Sequence, residues 1–133
     1  MKNSIIISIS TFLLLLSACS KNTPSSGSTG RLYVIVNSGS HFTGQSYVNT
    51  VNATSGSTAY YLAQGQVYAV GGVSSSIDTV DVGQGSPVTA RSYTLTVQSY
   101  RTSGGSAVPP VYNGTANCTL SAGQTLYVNV STN

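Results

Sequence analysis

The chain has 133 residues, of which 40% are hydrophobic and only 5% charged, and it carries a formal net charge of +3. The few scattered basic residues leave no nucleic-acid footprint. Two aspartates, no glutamate and one histidine leave little for acid–base catalysis or for a metal site. Recurrent Val, Ile, Leu and Tyr argue against disorder, and the length fits one domain behind an N-terminal leader.

The leader comes first. Met1-Lys2-Asn3-Ser4 is a short positive region, and Ile5 to Leu16 is an apolar run broken only by Ser8, Ser10 and Thr11. That run is shorter than the roughly 20 residues needed to cross a bilayer core, and its position behind a lysine suits export. It ends in Leu16-Ser17-Ala18-Cys19. This tetrad resembles the lipobox of bacterial lipoproteins. The resemblance covers the first 19 residues and implies cleavage between Ala18 and Cys19, with diacylglycerol on the Cys19 thiol and usually an acyl chain on the new amino group. Each buried CH₂ adds about 0.8 kcal/mol, so two or three chains anchor stably where one binds reversibly. Ordinary signal cleavage with Cys19 left as a spare thiol is the alternative. In that family an aspartate after the cysteine often retains the protein in the inner membrane. Ser20 stands there instead, which implies outer-membrane delivery in a Gram-negative cell.

Ser20 to Gly30 carries no apolar pattern and reads as a flexible tether. Its mean span of roughly 15–20 Å holds the domain near the bilayer. The expected organisation is therefore a signal peptide over 1–18, a lipidated cysteine and tether over 19–30, and a β-domain over 31–133. After cleavage four basic side chains (Lys21, Arg31, Arg91, Arg101) face Asp78 and Asp81, a net side-chain charge of +2.

Within the domain the apolar period is 2, the signature of half-buried strands. Leu32, Val34 and Val36 alternate with Tyr33 and Asn37. Weaker strands are expected over 46–53, 58–64, 66–73 and 76–82. Tyr93, Leu95 and Val97 alternate with Thr94, Thr96 and Gln98. A strand over 110–120 follows Pro109-Pro110, which cannot donate to a ladder and belongs at a sheet edge. Leu126, Val128 and Val130 alternate with Tyr127 and Asn129. Loops are expected at 38–40, 54–57, 83–87 and 103–106. Gln64-Gly65-Gln66 and Ala122-Gly123-Gln124 read as tight hairpin connections. Residues 62–70 echo residues 120–130, and Tyr33 and Tyr93 open comparable strands. The echo marks either two related halves or convergence on a common hairpin sequence. These elements predict an all-β fold, a small antiparallel sandwich of about seven strands, immunoglobulin-like or transthyretin-like, with a small closed barrel as the alternative. The lack of Trp argues against a true immunoglobulin domain.

The chemistry-bearing residues are sparse. Asp78 and Asp81 lie three apart, on opposite faces of a strand, so they cannot act as a glycosidase pair. In a loop they would make a charge-poor calcium site, and solvated strand-edge charges are the simpler expectation. His41 sits in a loop with no Gly-x-Ser-x-Gly elbow to partner it. Cys118, in phase with Ala116 and Leu120, reads as a buried inert thiol, with an intermolecular disulfide or a reactive nucleophile as alternatives. Asn52, Asn113, Asn117 and Asn129 head glycosylation sequons, which arise by chance in such a composition. Tyr60, Tyr61, Tyr100 and Tyr112 are the candidate binding residues, since exposed tyrosines stack on sugars or form protein contacts.

The resulting expectation is a lipid-anchored cell-envelope protein whose non-catalytic sandwich, without cofactor or metal, acts as a structural or partner-binding module. Its partners would be the membrane, through the N-terminal lipid, and an envelope protein or a glycan. The competing readings are a surface adhesin or glycan-binding module using exposed Tyr, Asn and Gln, and a hydrolase using His41, Asp78 or Asp81.

Overall fold

The computed structural model describes residues 28–67 and 76–133. The signal peptide, its cleavage site at Ala18 and Cys19, and the tether up to residue 27 lie outside the described residues, as do Tyr68 and the remainder of 68–75.

Among the described residues eight strands form two packed sheets: β1 (Thr29–Asn37), β2 (Tyr47–Ser55), β3 (Thr58–Val67), β4 (Ile77–Asp81), β5 (Val88–Thr89), β6 (Ser92–Ser103), β7 (Ser106–Thr119) and β8 (Thr125–Ser131). In sheet one, β1 is central and pairs with β4, β5 and β8; sheet two runs β3-β2-β6-β7. The fold is the expected all-β sandwich. Among these strands pairing is antiparallel except between β1 and β8, which run parallel from Arg31–Thr125 to Asn37–Ser131.

Alternation sets the faces. Leu32, Val34 and Val36 from β1 meet Tyr93, Leu95 and Val97 from β6 in one core, joined by Val51, Ala53, Val80, Val88, Leu120 and Val130. Each large side chain among them contributes about 1.5–3 kcal/mol by leaving water. Two tight hairpins fix registers in sheet two. Gly104 and Gly105, at φ 58° and 82°, supply the left-handed pair needed between β6 and β7, and Gly56, at φ 61°, serves between β2 and β3.

Several details correct the sequence reading. Strand β1 starts at Thr29, two residues inside the expected tether, where Thr29 and Gly30 pair with β5. Strand β7 starts at Ser106 and runs through the cis Pro109–Pro110 bond; β7 is an edge strand as expected, and a register shift between Ser99 and Arg101 lies opposite the prolines. Gln64-Gly65-Gln66 is not a hairpin, because Gly65 lies inside β3 opposite Asn49. A Cβ on Gly65 would collide with the Asp78 carboxylate and with Val80 of β4, so this glycine permits close approach of the sheets rather than a turn. The segment 122–124 does turn, with Gly123 at φ 71°, but it carries the chain from sheet two to β8 in sheet one instead of closing a hairpin. The described parts of the two echoed segments, 62–67 and 120–130, thus hold different structures. Tyr33 also lies on the outer face of β1 while Tyr93 is buried in the core.

Candidate functional site

At one end of the sandwich a chain of buried polar side chains links the sheets. Asn49 and Ser99 are fully buried, and Thr132 nearly so. The Thr132 hydroxyl donates to Ser99 Oγ at 3.2 Å, Ser99 donates to Asn49 Oδ1 at 2.6 Å, and Asn49 Nδ2 donates to Asp78 Oδ2 at 3.0 Å. Asp78 comes from β4 and Thr132 follows β8, whereas Asn49 and Ser99 lie on β2 and β6. The route therefore crosses between the sheets twice. Burial without partners would cost roughly 1–3 kcal/mol for each group, which is why each one is bonded. Beside this chain the Ser38 hydroxyl donates to Tyr47 at 2.7 Å. Burial, together with the nearby Asp78 charge, pushes the Tyr47 phenol above its ordinary range.

The loop between β1 and β2 closes the same end. Phe42 is buried with Tyr47 and Val67, and Tyr112 packs against them. His41 stacks on Tyr112 with ring centroids 3.8 Å apart and nearly parallel planes.

Toward the other end, Tyr60, Tyr61 and Tyr93 gather around Arg91. The Arg91 guanidinium lies 4.2 Å over the Tyr60 ring, and Tyr93 meets both other rings edge-on. Tyr93 donates to the Thr89 carbonyl at 2.6 Å, and the Thr89 amide donates to the Tyr61 oxygen at 3.1 Å. Burial drives the Tyr93 phenol up to about 12. Burial also pushes Tyr61 upward, but its bonds with Thr89 and Tyr93 and the Arg91 charge outweigh that effect and hold it below the ordinary value. An open groove of about 490 Å³ adjoins Tyr93, with Ser55, Ser92, Thr94, Asn117 and Thr119 among its lining.

The two outer faces differ. On sheet one Tyr33 and Tyr127 stack with centroids 5.0 Å apart, and Tyr127 and Ile77 are 57% and 54% exposed. On sheet two the outward rows are hydroxyls and amides over Thr50–Thr54 and Thr94–Gln98, with the Val48–Tyr100 pair beyond them and Leu62 at the β3 edge.

The sequence-selected residues are therefore dispersed. Tyr60 and Tyr61 lie near the Arg91 cluster, Tyr112 lies at the opposite end, and half-buried Tyr100 pairs with Val48. Asp78 and Asp81 are not the freely solvated edge charges expected. Both are half-buried framework acceptors, Asp78 from Asn49 and Asp81 from the amides of Gly83 and Gly85 at 3.0 and 2.9 Å. Cys118 is unpaired and half-buried against the core, and burial pushes its thiol up, away from the reactive thiolate. The hydroxyl of Ser99 faces an amide oxygen rather than a base. Among the described residues no group of three or more His, Cys, Asp or Glu side chains could hold a metal ion.

The sequence reading missed the buried polar chain. The signal lay in phase: Asn49 shares its strand face with Val51 and Ala53, Ser99 with Leu95 and Val97, and Thr132 with Val128 and Val130. Comparison with family models, with curated proteins and with solved structures gives no match.

Proposed function

We propose that this chain is a bacterial lipoprotein, anchored through lipid on Cys19, whose sandwich serves the cell envelope as a non-catalytic binding module. The observation that carries this reading is how the chemistry-bearing side chains are engaged. His41 is stacked on Tyr112, Asp78 joins the sheets, and Asp81 ties its adjoining loop. His41 and Asp78 lie at one end of the sandwich and Asp81 lies apart, and among the described residues none of the three bonds a hydroxyl or thiol nucleophile as hydrolysis would require. What the domain presents outward is contact surface: Tyr127 stacked on Tyr33, with Ile77 on the same sheet. Exposed aromatic and aliphatic side chains of this kind favour protein contact. The lipid and the short tether keep that surface within reach of envelope components.

A photo-cross-linking residue at position 127 of the lipidated chain tests the reading in cells. One discrete adduct with an envelope protein is expected, and it should disappear when the same residue is placed at buried position 34. Uniform absence of adducts from position 127 opposes a partner-binding role for this face. The adhesin reading on Tyr60, Tyr61, Tyr100 and Tyr112 has less support, because these residues form no shared platform.

A further inference from the structure

We infer that the outer face of sheet two, with the groove at its end, binds a neutral polysaccharide. This inference rests on the reading of the domain as a binding module and names a ligand class and a surface for it. The face is built from cross-strand pairs of uncharged polar side chains. Thr94 opposes Asn117, Thr96 opposes Thr115, and Gln98 opposes Asn113 in the ladder between β6 and β7. Thr50, Asn52 and Thr54 on β2 continue the same rows. Alternation turns these groups outward while Leu95 and Val97 fill the core.

Three properties select the ligand. The first is charge. No ionic side chain stands in the rows from Thr94 to Gln98 or on the facing stretch of β7. The nearest cation on β6's approach, Arg91, lies over the Tyr60 ring. Arg101, paired with Val108 toward the far end of β6, lies outside these rows, so a polyanion finds no counter-charge within them, and an uncharged polyhydroxyl chain needs none. The second is pre-organisation. Thr94 donates to Asn117 Oδ1 at 2.8 Å, and Gln98 donates to Asn113 Oδ1 at 3.1 Å. These bonds fix side-chain rotamers before a ligand arrives and leave each partner further donor or acceptor capacity, so less ordering entropy is lost on binding. The third is shape. The groove shares Thr94 and Asn117 with the face and is also lined by Ser55 and Ser92. Its volume of about 490 Å³ accommodates a small ligand, and its mixed lining, hydroxyls and an amide beside Tyr93 and Cys118, suits both the hydroxyls and the C–H side of a sugar. Leu62, 68% exposed across from Asn52, offers an apolar edge for the C–H side of a sugar ring.

The test is depletion of the full-length lipidated chain, held in detergent micelles, by insoluble cellulose and by chitin, with anionic alginate beads as the charged control. Binding to at least one neutral polymer and not to alginate is expected. Thr115→Lys on the exposed face of β7 should reduce the bound fraction about tenfold, equivalent to about 1.4 kcal/mol. Thr96→Ala, which adds neither bulk nor charge, should weaken it in the same direction. Thr79→Ala, on the exposed face of β4 in sheet one, should leave it unchanged. Failure of both neutral polymers to deplete the chain overturns the inference. So does equal binding by Thr115→Lys, Thr96→Ala and the parent, or preferential retention on alginate. A persistent cross-link from position 127 alongside absent polysaccharide binding removes this inference and leaves the binding-module reading standing.

Discussion

Replacing Asn49 with alanine interrupts the polar chain at its centre. Asn49 is fully buried and bonds in two directions, accepting from Ser99 at 2.6 Å and donating to Asp78 at 3.0 Å. The variant strands a carboxylate oxygen and a buried hydroxyl. A hydrogen bond to a charged group contributes about 1.5–3 kcal/mol, and a neutral one about 0.5–1.5 kcal/mol. Asp78 is only half-buried, so water recovers part of the first loss. A net destabilisation of about 3 kcal/mol follows, including a modest cavity term. That lowers Tm by roughly 10–20 °C in a domain of this size and is a large fraction of the 5–15 kcal/mol typical of small domains. Urea unfolding followed by circular dichroism reads the change as a lower midpoint at constant m-value. A cycle with Ser99→Ala should show coupling, because the two residues share a bond. A loss below about 1 kcal/mol, or strict additivity in the cycle, would show that the chain does not join the sheets energetically.

Gly65→Ala should destabilise the fold by about 2 kcal/mol, although alanine ordinarily gains 0.4–1 kcal/mol over glycine where the backbone permits it. The added methyl displaces the Asp78 carboxylate and Val80 at the crossing of β3 and β4, and a rise in thermal stability would contradict that close approach. Tyr93→Phe should cost about 1 kcal/mol at neutral pH by removing the bond to the Thr89 carbonyl. Because the folded phenol titrates near 12 and the unfolded one near 10, its contribution is intact below pH 10 and fades as pH rises through 12. The variant should therefore lose stability less steeply over that window than the parent, and identical slopes would exclude Tyr93 as a source of alkaline unfolding.

The strand faces were legible wherever apolar and polar residues alternated without exception. Strands β1 and β6 bury the residues that the period-2 pattern selects, and β8 turns Tyr127 outward as expected. Glycine misled where its role was not a turn. At Gly104-Gly105 it supplies positive φ angles, but at Gly65 it makes room for a neighbouring strand, and one sequence letter serves both purposes. Asn49 and Ser99 carried a phase signal that their polarity masked. A buried amide is tolerated only with partners, and those partners come from strands distant in the chain. The parallel β1–β8 pair was illegible for the same reason, since a turn at Gly123 looks alike whether the next strand folds back or crosses to the other sheet. The candidate tyrosines were chosen by type and position near strand ends, which does not distinguish the Arg91 cluster from the His41 end.

The central claim is lipid anchorage at Cys19, and metabolic labelling with a fatty-acid probe tests it most directly. The parent chain should carry the label and sediment with membranes. Cys19→Ala should carry none and appear in the soluble fraction, while Cys118→Ala should behave as the parent. Labelling that survives Cys19→Ala, or a parent chain found unlabelled and soluble, would contradict the anchor and remove the reason to place this sandwich at the envelope.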